Sequence, residues 1–311
     1  MRQKITIIGA GKVGSSAAFN ILGRSISDVV LIDIAQNTAF GEALDLMQAA
    51  PAIEFDGKVI GTCDLKEMSD SDLVIITAGY PRQLGMTRLD LAERNSVIVR
   101  SLVKEIVRYA PKCRIMMVTN PVDIMTMVAY RESEFERNRV FGMGNILDTL
   151  RFRSYISLAL EVSREDVRAL VIGEHGDSMV PLVHYASVSG IPITELLTEE
   201  KIAEIVDRTR CSGAQVIKFK GGTVYAPAVV IAIMAEAVLN DRKRVMGVSV
   251  PLEGEYGFSG ISIGVPCVLG ANGVERILEL KLDSRTAEEF ARSAALMREA
   301  LEKLDRNTFV P

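Results

Sequence analysis

The chain has 311 residues, with 36 Lys and Arg against 40 Asp and Glu, and 48% of it is hydrophobic. That is enough apolar material for a sizeable core in about two domains, which excludes a disordered chain, and the net charge of −4 excludes a general nucleic-acid binder, whose surface would be basic. The four cysteines form no CxxC pair, so neither a zinc ribbon nor a disulfide framework is expected, no metal site is expected, and unpaired thiols point to a reducing, cytoplasmic compartment.

The first half alternates short β-branched runs with longer helical patterns. Residues 4–8, 28–33, 58–61, 72–77 and 114–119 read as strands. Residues 12–22, 39–48 and 88–109 read as helices between them. The runs Val29-Val30-Leu31-Ile32 and Leu73-Val74-Ile75-Ile76 are apolar throughout, as strands covered on both faces must be. This alternation predicts an α/β fold, a Rossmann-type doubly wound parallel sheet with right-handed crossovers. After about Gly144 the texture changes. A helix over 149–160, a strand-like run over 167–172 and helices over 199–216 and 226–239 precede two strands, 245–251 and 260–269. The Gly-rich turn between those strands predicts an antiparallel pair. A last helix carries Ala287, Phe290, Ala294, Met297, Leu301 and Leu304 on one face. The expected division is therefore 1–143, a dinucleotide-binding domain, and 144–311, an α+β substrate domain with antiparallel strands. The longest apolar run, 224–235, contains Pro227 and is too short to cross a bilayer, so no membrane partner is expected.

Gly9-Ala10-Gly11-Lys12-Val13-Gly14 is a GxGxxG that follows a strand and opens a helix. Gly9 suits the tight turn, Gly11 a close approach of backbone to a pyrophosphate, and Gly14 close packing of helix on sheet. Asp33 ends the second strand at the spacing where a carboxylate accepts the ribose hydroxyls and repels a 2′-phosphate, and Ile34, Ala35 and Gln36 supply no compensating cation. NAD is therefore expected over NADP, while FAD, which uses the same loop, stays open at this point.

A cofactor loop does not specify a reaction. None of the seven Tyr has a Lys four residues later, which removes the short-chain dehydrogenase pattern, and no GxxxxGK[ST] loop is present. Histidine chemistry has two candidates. His175 stands in Gly173-Glu174-His175-Gly176-Asp177-Ser178, just after an apolar run, whereas His184 stands among apolar residues in Leu182-Val183-His184-Tyr185.

Five separated motifs, Gly9–Gly14, Asp33, Thr119-Asn120-Pro121, Ile146-Leu147-Asp148-Thr149-Leu150-Arg151-Phe152 and Gly173–Ser178, together resemble the lactate/malate dehydrogenase family in order and spacing, essentially end to end. The loop Ala78-Gly79-Tyr80-Pro81-Arg82-Gln83-Leu84-Gly85-Met86-Thr87-Arg88 resembles the malate branch. The resemblance implies reversible hydride transfer between (S)-malate and NAD, with a lactate or other 2-hydroxy acid dehydrogenase, or a catalytically silent NAD-binding protein, as alternatives. His175 would carry the proton and Asp148 would hold its other ring nitrogen. Arg151 would clamp the substrate carboxylate, Arg88 would polarise the carbonyl, and Arg82 would pair with the second carboxylate of a dicarboxylate substrate. Asn120 would bond substrate or the nicotinamide ribose, and Thr223 would line the pocket. Gly9, Gly11, Lys12, Val13, Gly14, Asp33, Asn95, Thr119 and Asn120 would hold the cofactor. Two positions depart from the family pattern: Leu84 stands where Pro is common, and His184 where Lys or Arg is common. A homodimer or homotetramer is implied, with 39–48 as a candidate interface helix.

Overall fold

The computed structural model describes residues 2–81 and 86–308. Five of the parallel strands are β1 (Lys4–Ile8), β2 (Asp28–Ile32), β3 (Val59–Thr62), β4 (Leu73–Ile76) and β5 (Arg114–Met117). The helices among them are α1 (Lys12–Gly23), α2 (Gln36–Ala49) and α3 (Arg88–Tyr109). Then follow α4 (Val122–Ser133), β6 (Val140–Gly142) and α5 (Ile146–Leu160). Two-residue strands β7 (Val167–Arg168), β8 (Val171–Ile172), β9 (Val180–Pro181), β10 (Ser187–Val188) and β11 (Ile191–Pro192) lead to α6 (Ile193–Leu196), α7 (Glu199–Lys220) and α8 (Tyr225–Leu239). The chain closes with β12 (Arg244–Glu253), β13 (Ser259–Gly270), β14 (Gly273–Ile277) and α9 (Ser284–Thr308).

Among the described residues, nine strands form one sheet in the order β14-β13-β12-β6-β5-β4-β1-β2-β3. The six from β6 to β3 run parallel, and the reversal of order beside β1 creates the crevice at the carboxyl ends where such sheets bind ligands. Both expected architectures are present, but one sheet carries both: Gly142 of β6 pairs with Ser249 of β12, so hydrogen bonding runs straight across residue 143. The predicted antiparallel pair is β12 with β13. The expected strand 167–172 divides in two, β7 pairing with β10 and β8 with β9 in separate small sheets. The apolar run 224–235 forms most of α8, which is buried along most of its length, and Pro227 sits in its first turn, where a missing N–H costs nothing.

The glycine loop is fixed by packing at two of its three glycines. Gly9 has φ +111°, and a Cβ there would meet Thr77 Oγ1 at 2.5 Å. A Cβ on Gly14 would lie 1.9 Å from the Gly9 carbonyl oxygen. A Cβ on Gly11 meets nothing within 4 Å, so no packing inside the protein demands that glycine. Gly14→Ala should lower Tm by about 3–8 °C in a thermal melt, because backbone must move. Gly11→Ala should change it by less than half as much.

Candidate active site

The N-terminus of α1 is prepared for an anion. Gly11 caps it without a side-chain hydrogen bond, and no acidic residue stands in the first turn, so the leading N–H groups and the positive end of the helix dipole face outward. Lys12 is exposed and Val13 partly so beside them. Asp33, just past β2, accepts the Ala10 N–H at 2.8 Å and the Ala35 N–H at 2.9 Å, which ties the glycine loop to the second strand. Open space at Gly11, an uncapped helix start and an adjacent carboxylate fit a dinucleotide.

The loops after β4 and β5 form the next wall. Thr119 Oγ1 donates to the carbonyls of Ile76 and Ala78 at 3.1 and 2.7 Å. Asn95, fully buried on α3, donates to the Asn120 carbonyl at 2.7 Å and accepts the Tyr80 N–H at 2.8 Å. Its amide is thus spent on backbone, and it shapes both loops rather than presenting a free group. Asn120 itself is exposed at the carboxyl edge of the sheet. Arg82 and Leu84 lie outside the described residues.

The candidate proton carrier is built from two elements. The start of α5 presents Asp148 and Arg151 one turn apart, and the Gly173–Ser178 loop presents His175. His175 Nδ1 is 2.6 Å from Asp148 Oδ2, and Arg151 Nη1 donates to Asp148 Oδ1 at 2.9 Å. Asp148 has no solvent exposure, while His175 and Arg151 keep 13% of their side chains accessible. The i,i+3 salt bridge and the carboxylate–imidazole pair therefore coexist on one carboxylate. Asn145 Nδ2 reaches the same Asp148 oxygen and the Glu174 carbonyl, each at 3.3 Å. Since a carboxylate accepts, Nδ1 bears hydrogen and Nε2 is left for a reacting group.

Burial alone would lower the His175 pKa. The Asp148 charge and hydrogen bond outweigh it, Asp123 adds, and Arg151 opposes, so the imidazole is held above its ordinary value. Burial alone would raise Asp148, but the charge and hydrogen bond of His175, with help from Arg151, hold that carboxyl below its ordinary value.

Arg88, first residue of α3, donates from Nη1 to the buried carboxylate of Glu174, and its Nη2 lies 2.9 Å from Asp177. It thereby lies beside the histidine loop, where a Cβ on Gly176 would strike it at 2.4 Å. Thr223 sits in the turn between α7 and α8, and among the described residues it makes no hydrogen bond to this cluster. His184 is 71% exposed and faces Asp283 at 3.9 Å, which separates the two histidines by environment. Sequence reasoning overlooked Asn145, Glu174 and Asp123 as parts of the site. Their positions beside the recognised motifs were the available signal.

Comparison with known proteins places these features in a family. Residues 3–142 match the NAD-binding domain of the lactate/malate dehydrogenases, and residues 146–308 match their alpha/beta C-terminal domain. The malate dehydrogenase of Desulforudis audaxviator is 46% identical over 306 residues, covering 98% of this chain and 99% of that one. A malate dehydrogenase from a Geobacillus strain is 42% identical with the same coverage. The structure of the apo malate dehydrogenase from Picrophilus torridus superposes with a TM-score of 0.95 at 40% identity, covering 98% of both chains. The lactate dehydrogenase of Cryptosporidium parvum, solved with lactic acid and the nicotinamide cofactor, gives 0.96 at 37% identity, covering all of this chain and 99% of that one.

The His175–Asp148 pair should imprint a pH window on stability. The raised His175 pKa contributes stability that is complete below its ordinary 6.5 and is lost as pH climbs through the folded value. The lowered Asp148 pKa contributes stability present above its ordinary 3.8 and lost as pH falls through the folded value. The Tm difference between the wild type and Asp148→Asn should therefore be largest from about pH 4 to 6.5 and narrow on either side, in melts taken across pH.

Proposed function

The chain belongs to the lactate/malate dehydrogenase family, with NAD as its cofactor, and we propose that its reaction is the reversible interconversion of (S)-malate and oxaloacetate. The observation that carries this reading is the Asp148 carboxylate holding His175 and Arg151 together. That geometry joins a proton carrier to a carboxylate clamp at the carboxyl edge of a dinucleotide-binding sheet.

The Gly9–Gly14 loop with Lys12 and Val13 holds the pyrophosphate, Asp33 the ribose, and the loops carrying Thr119 and Asn120 the nicotinamide side, with Asn95 shaping them. When bound, the nicotinamide supplies the hydride for reduction or takes it in oxidation. In the reducing direction, His175 enters as imidazolium, stabilised by Asp148, and delivers its Nε2 proton to the substrate carbonyl oxygen. In the oxidising direction it removes the hydroxyl proton. Arg151 presents a planar fork of donors to the carboxylate next to the reacting carbon. Arg88 stabilises the oxygen as charge builds on it. Its guanidinium has five N–H groups, so donors remain beyond those given to Glu174 and Asp177. Thr223 forms a more distant part of the pocket wall.

Arg82 decides between substrates. An arginine in the closed site pairs with the second carboxylate of oxaloacetate, whereas pyruvate leaves it without a partner, a cost of roughly 2–5 kcal/mol if desolvated. The curated malate dehydrogenases at 42–46% identity support the dicarboxylate reading. A silent NAD-binding protein would have no use for a buried acid–base pair beside two arginines.

The two family segments end at 142 and begin at 146, which supports a division into 1–143 and 144–311. The four cysteines are free, in keeping with a cytoplasmic setting, and no helix among the described residues is long and apolar enough to cross a membrane. Phe40, Leu44 and Met47 stand exposed on α2, which supports a second copy packing there in a homodimer or homotetramer.

His175→Asn should reduce turnover about a thousandfold while NADH binding, read by fluorescence, stays within a few fold. The kcat/KM for oxaloacetate reduction should fall as pH rises through the raised His175 pKa, and that for malate oxidation should rise over the same interval. Arg82→Gln should lower the ratio of kcat/KM for oxaloacetate over pyruvate by at least about tenfold, and an unchanged ratio would reject the role.

A further inference from the structure

Behind the His175 loop lies a second buried carboxylate that the mechanism above does not use. Asp123, on the first turn of α4, is 2% exposed. Its Oδ2 accepts the main-chain N–H of His175 at 2.7 Å, and its Oδ1 accepts the Ser249 hydroxyl at 2.6 Å. Ser249, on β12, lies 3.1 Å from the Ser262 hydroxyl on β13, so its own donor is free for the carboxylate. Among the described residues no lysine or arginine lies within ion-pair distance of Asp123. A carboxylate buried with only neutral donors is costly to a fold unless a cation forms nearby.

The cation that can form there is imidazolium. Among the described residues, the charged groups facing His175 are Asp148 and Arg151 from α5, Asp123 from α4, and on its own loop Glu174 and Asp177, which hold Arg88 from α3. Arg88 matches the buried Glu174, and Asp177, 91% exposed, is left to solvent screening. Of the inner set, two carboxylates face one guanidinium, and the set becomes neutral only when the imidazole is protonated.

We propose that Asp123 is a positioning residue for His175: it anchors the histidine's backbone and supplies the second negative charge that favours imidazolium in the free enzyme. The proposal rests on His175 being the proton carrier. The direction of the charge effect agrees, since Asp123 acts to raise the His175 pKa. Burial pushes the Asp123 carboxyl above its ordinary range, and the hydrogen bonds from Ser249 and the His175 main chain oppose that rise and favour its charged form.

The full-length enzyme, labelled with 13C at histidine Cε1, gives a direct test by NMR titration. Two histidine signals are expected, and exposed His184 serves as the internal reference. Asp123→Asn should lower the His175 midpoint by about 1 pH unit without moving His184. Ser249→Ala, which removes only the relay hydroxyl, should move it the same way by less, and remains readable if Asp123→Asn does not fold. Ser293→Ala removes the comparable anchor on the neighbouring Glu174 N–H, 2.8 Å away, with no change of charge, and should leave the midpoint in place. The alkaline limb of the kcat/KM profile for oxaloacetate, where activity falls as His175 loses its proton, should shift with the NMR midpoint. A His175 midpoint unchanged in both Asp123→Asn and Ser249→Ala, or lowered equally by Ser293→Ala, would overturn the proposal. Loss of the proton-carrier reading shows separately, as full turnover in His175→Asn.

Discussion

Asp148 is a carboxylate without solvent, and the site is organised by what it takes to keep it there. An isolated charge in that position would cost several kcal/mol, so the fold must bring donors to it. It brings three: the His175 imidazole, the Arg151 guanidinium and the Asn145 amide. Each of those donors is thereby fixed in orientation, and the proposed proton carrier and the proposed carboxylate clamp share one reference point. The same carboxylate sets the imidazole tautomer and is the main support of its charged form, so ring orientation and acidity share their principal origin.

That arrangement needs two parts of the chain to meet, and the continuous sheet makes them meet. The parallel half delivers the phosphate loop, Asp33 and the Asn120 edge on its carboxyl ends. The antiparallel half continues the same sheet through Gly142 and Ser249 and carries the histidine loop on its surface, where Gly173 and Gly264 exchange backbone hydrogen bonds. A Cβ on Gly264 would overlap the Asn145 side chain at 1.7 Å, so the strand and the amide at the start of α5 are packed to contact. The glycine loop and the His175 cluster stand on one hydrogen-bonded framework.

Much of this was legible in the sequence. Strands buried on both faces must be apolar throughout, which made 29–32 and 73–76 readable, and a glycine loop between strand and helix has few structural alternatives. Helix α4 escaped because Val122–Ser133 is buried on nearly every face and so lacks an amphipathic period. Strands β7 to β11 are too short for any pattern, and the run 167–172 reads as one strand because nothing local marks its change of partner. Within the site, Asp148, Arg151 and His175 were visible through their motifs. The link between Asp123 and Ser249 spans 126 positions and has no local trace. The partners of Asn95, the backbone of Tyr80 and Asn120, are revealed only by the folded loops.

The measurement that bears most directly on the account is a steady-state comparison of NADH oxidation by the wild-type enzyme with oxaloacetate, pyruvate and 2-oxoisocaproate at one pH. With the roles proposed for His175, Arg151 and Arg82, the enzyme should favour oxaloacetate in kcat/KM by about a hundredfold or more. Equal or greater efficiency with either monocarboxylate would contradict it.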